Sequence, residues 1–178
     1  IEEIKSTPAV IFGLNINRTG TMFGFVRQTS DTPPDAFVAS ASNFTPVQIT
    51  TVNGELKLPP VGRTEVITWK SNDGKQIEGL LTYPVGYQNG QRVPLILNVH
   101  GGPAGVFQQT YLGGRGVYPL ATFSSRGYAI LRPNPRGSSG YGADFRRANI
   151  KDWGFGDYQD LMTGVDKVIQ MGVADPER

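Results

Sequence analysis

The sequence is poor in the residues that most often carry catalysis or bind metals. It contains no cysteine and a single histidine, His100, in 178 residues. The absence of cysteine excludes disulfides, thiolate nucleophiles and thiolate metal sites, although it does not decide the cellular compartment. One histidine also falls short of the roughly three protein ligands that a catalytic zinc needs. We therefore expect neither a metal nor any other cofactor.

The chain also lacks a strong excess of charge and a long hydrophobic run. Its formal net charge is +2, which argues against a surface dedicated to nucleic acid or to membranes. No apolar run reaches the roughly 18 residues that a membrane helix requires. The 38% of hydrophobic and 18% of charged residues are typical of a globular protein. The chain begins without methionine, so we expect a piece of a longer protein, and cytoplasmic, periplasmic and secreted locations all stay open.

Glycine and proline, by contrast, are abundant, with 23 and 13 residues that follow no period. This excludes collagen and predicts many turns within β or α/β structure. Residues 1–60 predict a hairpin of 9–16 and 21–28 around the turn NRTG, followed by short strands at 35–41 and 45–50. Four strands this close together suit one blade of a β-propeller, and a fragment of a β-sandwich fits nearly as well.

From residue 61 onward the pattern changes to that of an α/β domain. TEVITWK and QIEGLLTYP alternate apolar and polar side chains around a turn, which predicts an antiparallel hairpin. RVPLILNVH is a continuous apolar run, which predicts a strand buried on both faces. A helix, a second buried strand and a long helix follow, the last with Asp157 as its cap and Gly172 at its end. The order therefore predicts an antiparallel pair at one edge of a mainly parallel sheet. In residue numbers these elements are 64–70, 76–84, 92–100, 117–127, 128–134 and 156–172.

The segment NVHGGPAG, residues 98–105, directly follows the first of these buried strands. In an open α/β sheet, ligands bind beyond the carboxyl ends of the strands. Gly101 and Gly102 carry no Cβ there, so their backbone N–H groups can approach a ligand closely. Such groups stabilise the oxyanion of a tetrahedral acyl-transfer intermediate, and losing one donor costs about 3–4 kcal/mol. An HGGG-type segment has this role in the equivalent loop of α/β-hydrolases.

His100 and Arg136 are expected to shape the loops at this edge of the sheet. His100 has neither a nucleophile nor an orienting acid beside it in the sequence, and a general base needs both. This favours a structural role in which a ring hydrogen bond holds the Gly-Gly loop in shape. The cluster RPNPRGSSGYG, residues 132–142, follows the second buried strand. We expect Arg136 to anchor that loop by hydrogen bonds or an ion pair, with a substrate-facing Arg136 or Tyr141 as the alternative.

Three segments together carry a family resemblance. NVHGGP, NPRGSSGYG and DWGFGDYQDLMTGVDKVI resemble the first half of the catalytic domain of the prolyl oligopeptidase family, most closely its acylaminoacyl-peptidase and dipeptidyl-aminopeptidase branch. The resemblance implies that residues 1–60 are the last blade of a β-propeller. It implies that residues 61–178 are the N-terminal half of an α/β-hydrolase domain. Pro135 stands where that branch often has an aromatic residue, and we infer no specificity from this difference.

The motif that carries the nucleophile of an α/β-hydrolase, GxSxG, does not occur in the chain. The resemblance places this elbow one strand beyond the helix that ends near Gly172, and the triad histidine later still. We therefore expect the chain to stop before the elbow and His100 not to be the triad histidine. By the same resemblance, the N–H of Gly102 is the leading candidate for the oxyanion donor, and that of Gly101 is a weaker one.

The function that follows is part of a serine-type peptidase that hydrolyses short peptides through an acyl-enzyme. Its expected partners are peptide substrates and the remaining half of the catalytic domain, and the chain alone is expected to be inactive. Three further points stay open at this stage: a carboxylesterase or lipase of the same fold, a non-catalytic structural or binding fragment, and assembly as a homo-oligomer. The choice among dipeptidyl, acylaminoacyl and post-proline specificity also stays open, because the pockets that decide it lie elsewhere.

Overall fold

The computed structural model describes residues 9–114 and 116–178. They form two compact units. The first unit comprises Ile1–Pro59 together with Gln109–Val117, and the second comprises Pro60–Gln108 together with Tyr118–Arg178. The polypeptide therefore leaves the second unit after Gln108, contributes a short segment to the first unit and returns.

The first unit contains an antiparallel sheet of four strands in the order β1-β2-β3-β4. The strands are β1 Val10–Ile16, β2 Met22–Gln28, β3 Asp35–Ser40 and β4 Val47–Gln48. The predicted hairpin is confirmed, since Val10 pairs with Gln28 and Ile16 pairs with Phe23. The fourth strand is shorter than predicted, and beyond it the Ala36 N–H donates to Thr50 Oγ1 at 2.9 Å instead of to a carbonyl. Thr50 Oγ1 donates to the Asp35 carboxylate, and Gln48 Nε2 donates to the same group at 3.1 Å.

Aromatic side chains form the core of this first sheet. The Phe25 ring stacks with those of Phe37 and Phe44, at centroid distances of 6.1 and 5.3 Å. The returning segment 109–117 attaches to the same unit through its backbone. Tyr111 N donates to Gln28 Oε1 at 2.8 Å, and the neighbouring Leu112 is buried.

The second unit contains a mixed sheet in the order β5-β6-β8-β7. Its strands are β5 Thr64–Lys70, β6 Gln76–Thr82, β7 Leu95–Leu97 and β8 Ala129–Asn134, and its helices are α1 Leu120–Ser125, α2 Ala143–Arg147 and α3 Gly156–Gln170. The α/β class and the antiparallel hairpin β5-β6 are confirmed. β6 and β8 are antiparallel, and β7 and β8 are parallel. The described residues thus hold one parallel pair, so the expectation of a mainly parallel sheet is not met.

Strands β7 and β8 differ from each other more than their sequences predict. β8 lies between β6 and β7, and all six of its residues are buried. β7 has three residues instead of the predicted nine, and all three are only half-buried. The prediction of burial on both faces is wrong for β7 because the strand lies at an edge of the described sheet. Val93, just before it, pairs instead with Ala174 in a parallel bridge.

Helix α3 packs on the sheet through a close contact with Trp69. The indole Nε1 donates to the Asp160 carbonyl at 2.9 Å, and a Cβ at Gly164 would lie 2.6 Å from Trp69 Cζ2. The predicted helix end is confirmed, since Gly172 has a φ of 74° just beyond it. The predicted cap is wrong, because the helix begins at Gly156, one residue before Asp157. Within the described residues, no helix has the length and apolarity needed to span a membrane.

Candidate active site

Two loops meet at the edge of the second sheet where the parallel strands end. We call residues 98–105, after β7, the glycine loop, and residues 135–142, after β8, the arginine loop. Because β7 and β8 are parallel, both loops leave the sheet at the same edge. Ser139 joins them: its Oγ donates to the Ala104 carbonyl at 2.6 Å, and its N–H donates to the Gly105 carbonyl at 3.1 Å. The structure therefore brings the two glycine-rich clusters into direct contact.

The glycines of the glycine loop are not equivalent. Gly102 has a φ of 122°, and a Cβ there would lie 3.0 Å from Gly105 N, so this position requires glycine. Gly101 has open space around its missing side chain. Both residues are exposed, and within the described chain neither of their N–H groups donates a hydrogen bond. Two backbone donors without a partner in the described residues therefore lie at the edge where the sequence predicts an oxyanion site.

His100 packs beneath the glycine loop and contacts a serine. Its Nε2 lies 3.0 Å from Ser138 Oγ, while its Nδ1 lies 3.2 Å from the Gly101 carbonyl oxygen. Ser138 Oγ donates its only proton to the Pro135 carbonyl at 2.6 Å, so the imidazole Nε2 carries the proton of the histidine–serine bond. A hydroxyl that is 38 positions away in the sequence thus lies beside the His100 ring.

The His100–Ser138 pair nevertheless has none of the other properties of a catalytic dyad. Ser138 is fully buried, its proton is engaged, and the Nδ1 side of the ring faces a carbonyl rather than a carboxylate. The same ring leaves no room for a side chain at Gly105, where a Cβ would lie 2.8 Å from His100 Nδ1. These contacts suit the predicted role of His100 in shaping the loop.

Asn134, which the sequence analysis did not single out, holds the end of the glycine loop from the sheet. Its Oδ1 accepts the Phe107 N–H at 2.7 Å, and its Nδ2 donates to the Phe107 carbonyl at 3.0 Å. Nδ2 also donates to the Tyr141 hydroxyl, which in turn donates to Glu78 Oε1 at 2.7 Å. Burial, reinforced by Glu78, raises the pKa of Tyr141 to about 12. Tyr141 thus points into this network, which does not favour the alternative of a substrate-facing tyrosine.

Arg136 is the centre of a buried ion-pair network. Its Nε and Nη2 contact the two carboxylate oxygens of Asp160 at 2.9 and 2.8 Å, and its backbone N–H donates to the same group at 2.8 Å. Nη1 also lies 3.0 Å from Asp73 and 3.6 Å from Asp152. The carboxylates of Asp160 first, and then of Asp73, raise the pKa of Arg136 above its ordinary value. The contacts suit the predicted anchor, and Asp160 is fully buried.

Arg132 is buried without such compensation. It is 4% exposed, and its Nε and Nη2 have no hydrogen-bond partner within residues 9–114 and 116–178. Its guanidinium forms a cation–π contact with the Phe107 ring, whose centroid is 5.8 Å away. Burial lowers the pKa of Arg132 to about 10. The described residues also contain no group of three side chains suited to hold a metal ion.

Comparison with known proteins finds the same family resemblance over part of the chain. A model of the prolyl oligopeptidase family matches residues 118–178, which include the arginine loop and α3. An uncharacterized peptidase of Bacillus subtilis, YuxL, is 37% identical over 115 residues, which are 64% of this chain and 17% of that protein. The acylamino-acid-releasing enzyme of Arabidopsis thaliana is 40% identical over 91 residues, 51% of this chain and 11% of the enzyme. The resemblance to the prolyl oligopeptidase family is confirmed, and the family model covers residues 118–178.

Solved structures of acylaminoacyl peptidases are similar to nearly the whole of this chain. An acylaminoacyl peptidase in complex with Z-Gly-Gly-Phe-chloromethyl ketone is similar to 99% of this chain, with a TM-score of 0.82 and 27% identity. The uncomplexed acylaminoacyl peptidase of Pyrococcus horikoshii has a TM-score of 0.81 and 26% identity over 99% of this chain. The chain covers 27% of each of these structures. It also spans less than a fifth of the length of the curated relatives named above.

Proposed function

We propose that this chain supplies the oxyanion loop of a serine-type peptidase that hydrolyses short peptides through an acyl-enzyme. The observation that carries the proposal is the glycine loop, whose exposed Gly102 N–H is unengaged while the surrounding backbone is fixed. Ser138 and Ser139 of the arginine loop bond His100 and Ala104 of this loop, and Asn134 holds Phe107 just beyond it. A donor fixed in this way needs no reorganisation when negative charge develops on the substrate carbonyl oxygen.

The chemistry divides between this chain and residues outside it. A serine attacks the peptide carbonyl, an oxyanion forms, and its collapse expels the amine and leaves the acyl-enzyme. The N–H of Gly102, with that of Gly101 as the weaker candidate, stabilises the oxyanion. Because the sequence has no GxSxG motif, the proposal assigns the serine, the acid and the catalytic histidine to polypeptide outside these 178 residues. The partners are then peptide substrates and the rest of the catalytic domain.

The first unit is, in the same proposal, the last blade of a β-propeller. Its four strands are consecutive neighbours and all antiparallel, which is the arrangement within a propeller blade. The proposed boundary lies near residue 60, where the two units also separate.

Labelling with a fluorophosphonate tests whether the nucleophilic serine lies outside these 178 residues. We expect the longer protein that contains this sequence to be labelled at a serine, and the 178-residue chain alone to remain unlabelled. Labelling of the short chain at any serine, Ser138 included, would overturn the proposal. A peptidase is expected to hydrolyse short peptides, whereas a carboxylesterase would hydrolyse ester substrates only. Assays with both substrate classes therefore distinguish the two functions.

Replacement of single backbone N–H groups tests the oxyanion donor. Glycolic acid in place of Gly102 converts the amide to an ester, removes the N–H and keeps the conformational freedom of glycine. In the longer protein we expect kcat to fall by about 10²–10³-fold with little change in KM. Glycolic acid at position 101 is the matched control and is expected to cost less than about tenfold. The larger loss at position 101 would reverse the assignment.

A further inference from the structure

A groove lies beside the glycine loop and has not been used by the proposed chemistry. Its volume is about 590 Å³, which is within the range of ligand-binding clefts. Its walls are the end of the arginine loop and the short helix α2. The lining residues are Ser139, Gly140, Gly142, Ala143, Arg146, Arg147 and Ile150.

The groove is continuous with the candidate oxyanion loop through one residue. Ser139 lines the groove, and the same residue donates its hydroxyl to the Ala104 carbonyl and its N–H to the Gly105 carbonyl. Ala104 is two residues from Gly102 in the glycine loop, so the groove begins near the candidate oxyanion donor. The position is that of a subsite for a neighbouring substrate residue.

The charges that line the groove are both positive. Arg146 and Arg147 are exposed, and neither forms an ion pair or a side-chain hydrogen bond within the described residues. Asp144, on the same helix, does not line the groove and forms no ion pair with them there. Arg136 provides the contrast, since it is buried and its guanidinium already contacts three carboxylates. Arg146 and Arg147 thus present guanidinium groups that are free to bind an external anion.

The chemistry of the lining selects a carboxylate on a short aliphatic stem. Guanidinium groups bind carboxylates through paired N–H donors, and the side chains of Ala143 and Ile150 offer apolar contact for methylene groups. We propose that this groove is a substrate subsite for an acidic residue, aspartate or glutamate, close to the scissile bond. The inference rests on the proposed peptidase function for its placement, but the binding step is independent of catalysis.

Peptide hydrolysis by the longer protein that contains this sequence tests the specificity. The substrates are blocked peptides that carry glutamate at each position around the scissile bond in turn, each paired with the glutamine peptide. At one position we expect kcat/KM to favour glutamate by about tenfold. The double substitution Arg146→Gln with Arg147→Gln should bring this ratio close to one. High salt should lower it in the unsubstituted protein, because the arginines are exposed.

The control is Arg126→Gln, an exposed arginine outside the groove, which should leave the glutamate-to-glutamine ratio unchanged. Calorimetric titration with the same paired peptides separates the two proposals. Preferential binding of a glutamate peptide without hydrolysis would retain the subsite and overturn the peptidase function. Hydrolysis without glutamate preference at any position would retain the function and overturn the subsite. A preference for glutamate that persists in the double arginine variant would also overturn the subsite.

Discussion

Gly101 and Gly105 differ in what surrounds their missing side chains. A Cβ at Gly105 would lie 2.5 Å from the Gly101 carbonyl oxygen and 2.8 Å from His100 Nδ1, whereas nothing lies within 4 Å of one at Gly101. We expect Gly105→Ala to lower the free energy of unfolding by about 1–3 kcal/mol, because backbone and imidazole must both shift. Gly101→Ala, the matched control, should stay within about 0.5 kcal/mol. Urea unfolding of both variants measures the difference, and equal midpoints would contradict it.

The serine beneath His100 shows where sequence reasoning at the residue scale reaches its limit. The sequence predicts a hydrogen bond from the His100 ring, and in the structure Nε2 of that ring donates to Ser138 Oγ at 3.0 Å. The two residues are 38 positions apart, and only the parallel pairing of β7 with β8 brings their loops together. Gly105 could not be identified from the sequence for a similar reason. Its need for glycine comes from the position of the His100 ring, which no local pattern predicts.

Arg132 and Arg136 provide a paired test of how burial acts on a charge. Arg136→Met leaves the fully buried Asp160 without its cation, so we expect it to cost about 3–5 kcal/mol of stability. Arg132→Met removes a buried guanidinium whose Nε and Nη2 are unpaired in the described residues, so we expect no loss, or a gain of about 1–3 kcal/mol. Thermal and urea unfolding compare the two variants. Equal destabilisation by both would show that Arg132 has a partner in solution.

At the scale of elements, two tyrosines connect strands through carboxylates and predict how stability changes with pH. Tyr141 donates to Glu78 on β6, and Tyr83 donates to Glu65 on β5. Burial first, and then the carboxylate, raises the pKa of each phenol from 10.0 to about 12. Because the folded pKa is raised, the stabilisation is complete below pH about 10 and is lost as the pH rises through about 12.

An alkaline absorbance titration tests the prediction for these phenols. Of the seven tyrosines, we expect a late-titrating class that loses one member in Tyr141→Phe and one in Tyr83→Phe. Tyr118→Phe is the control, because its side chain is 61% exposed. The free energy of unfolding should decline between pH about 10 and 12, and this decline should be shallower in each of the first two variants. An unchanged late class in Tyr141→Phe would contradict the Glu78 contact.

Element type was predictable from local pattern, whereas element environment was not. The alternation of TEVITWK and QIEGLLTYP fixed the β5-β6 hairpin, and the glycine after α3 fixed the end of that helix. The apolar run of β7 predicted burial, but burial depends on neighbours, and this strand lies at an edge of the described sheet. Beyond β4, the Ala36 N–H donates to the Thr50 hydroxyl instead of to a carbonyl, which no local pattern predicts.

At the scale of the whole molecule, the segment 109–117 belongs to the first unit although both of its flanks belong to the second. A boundary drawn at one point in the sequence cannot represent such an excursion, because composition changes along the chain while contacts form across it. Leu112 is the buried apolar residue of the segment, and its backbone N–H donates to the Ser30 carbonyl of the same unit at 3.1 Å. A polypeptide that begins at Pro60 would therefore expose Leu112.

This excursion predicts that one substitution has opposite effects in two contexts. In the 178-residue chain, Leu112→Ser should lower the free energy of unfolding by about 2–4 kcal/mol, because it removes buried apolar volume and places a hydroxyl among apolar atoms. In a polypeptide of residues 60–178, where Leu112 faces water, the same substitution should raise the soluble yield. Gln108→Ser, exposed and just outside the segment, is the control and should change neither quantity. A loss of soluble yield in the shorter polypeptide would show that Leu112 packs against the second unit's own residues instead.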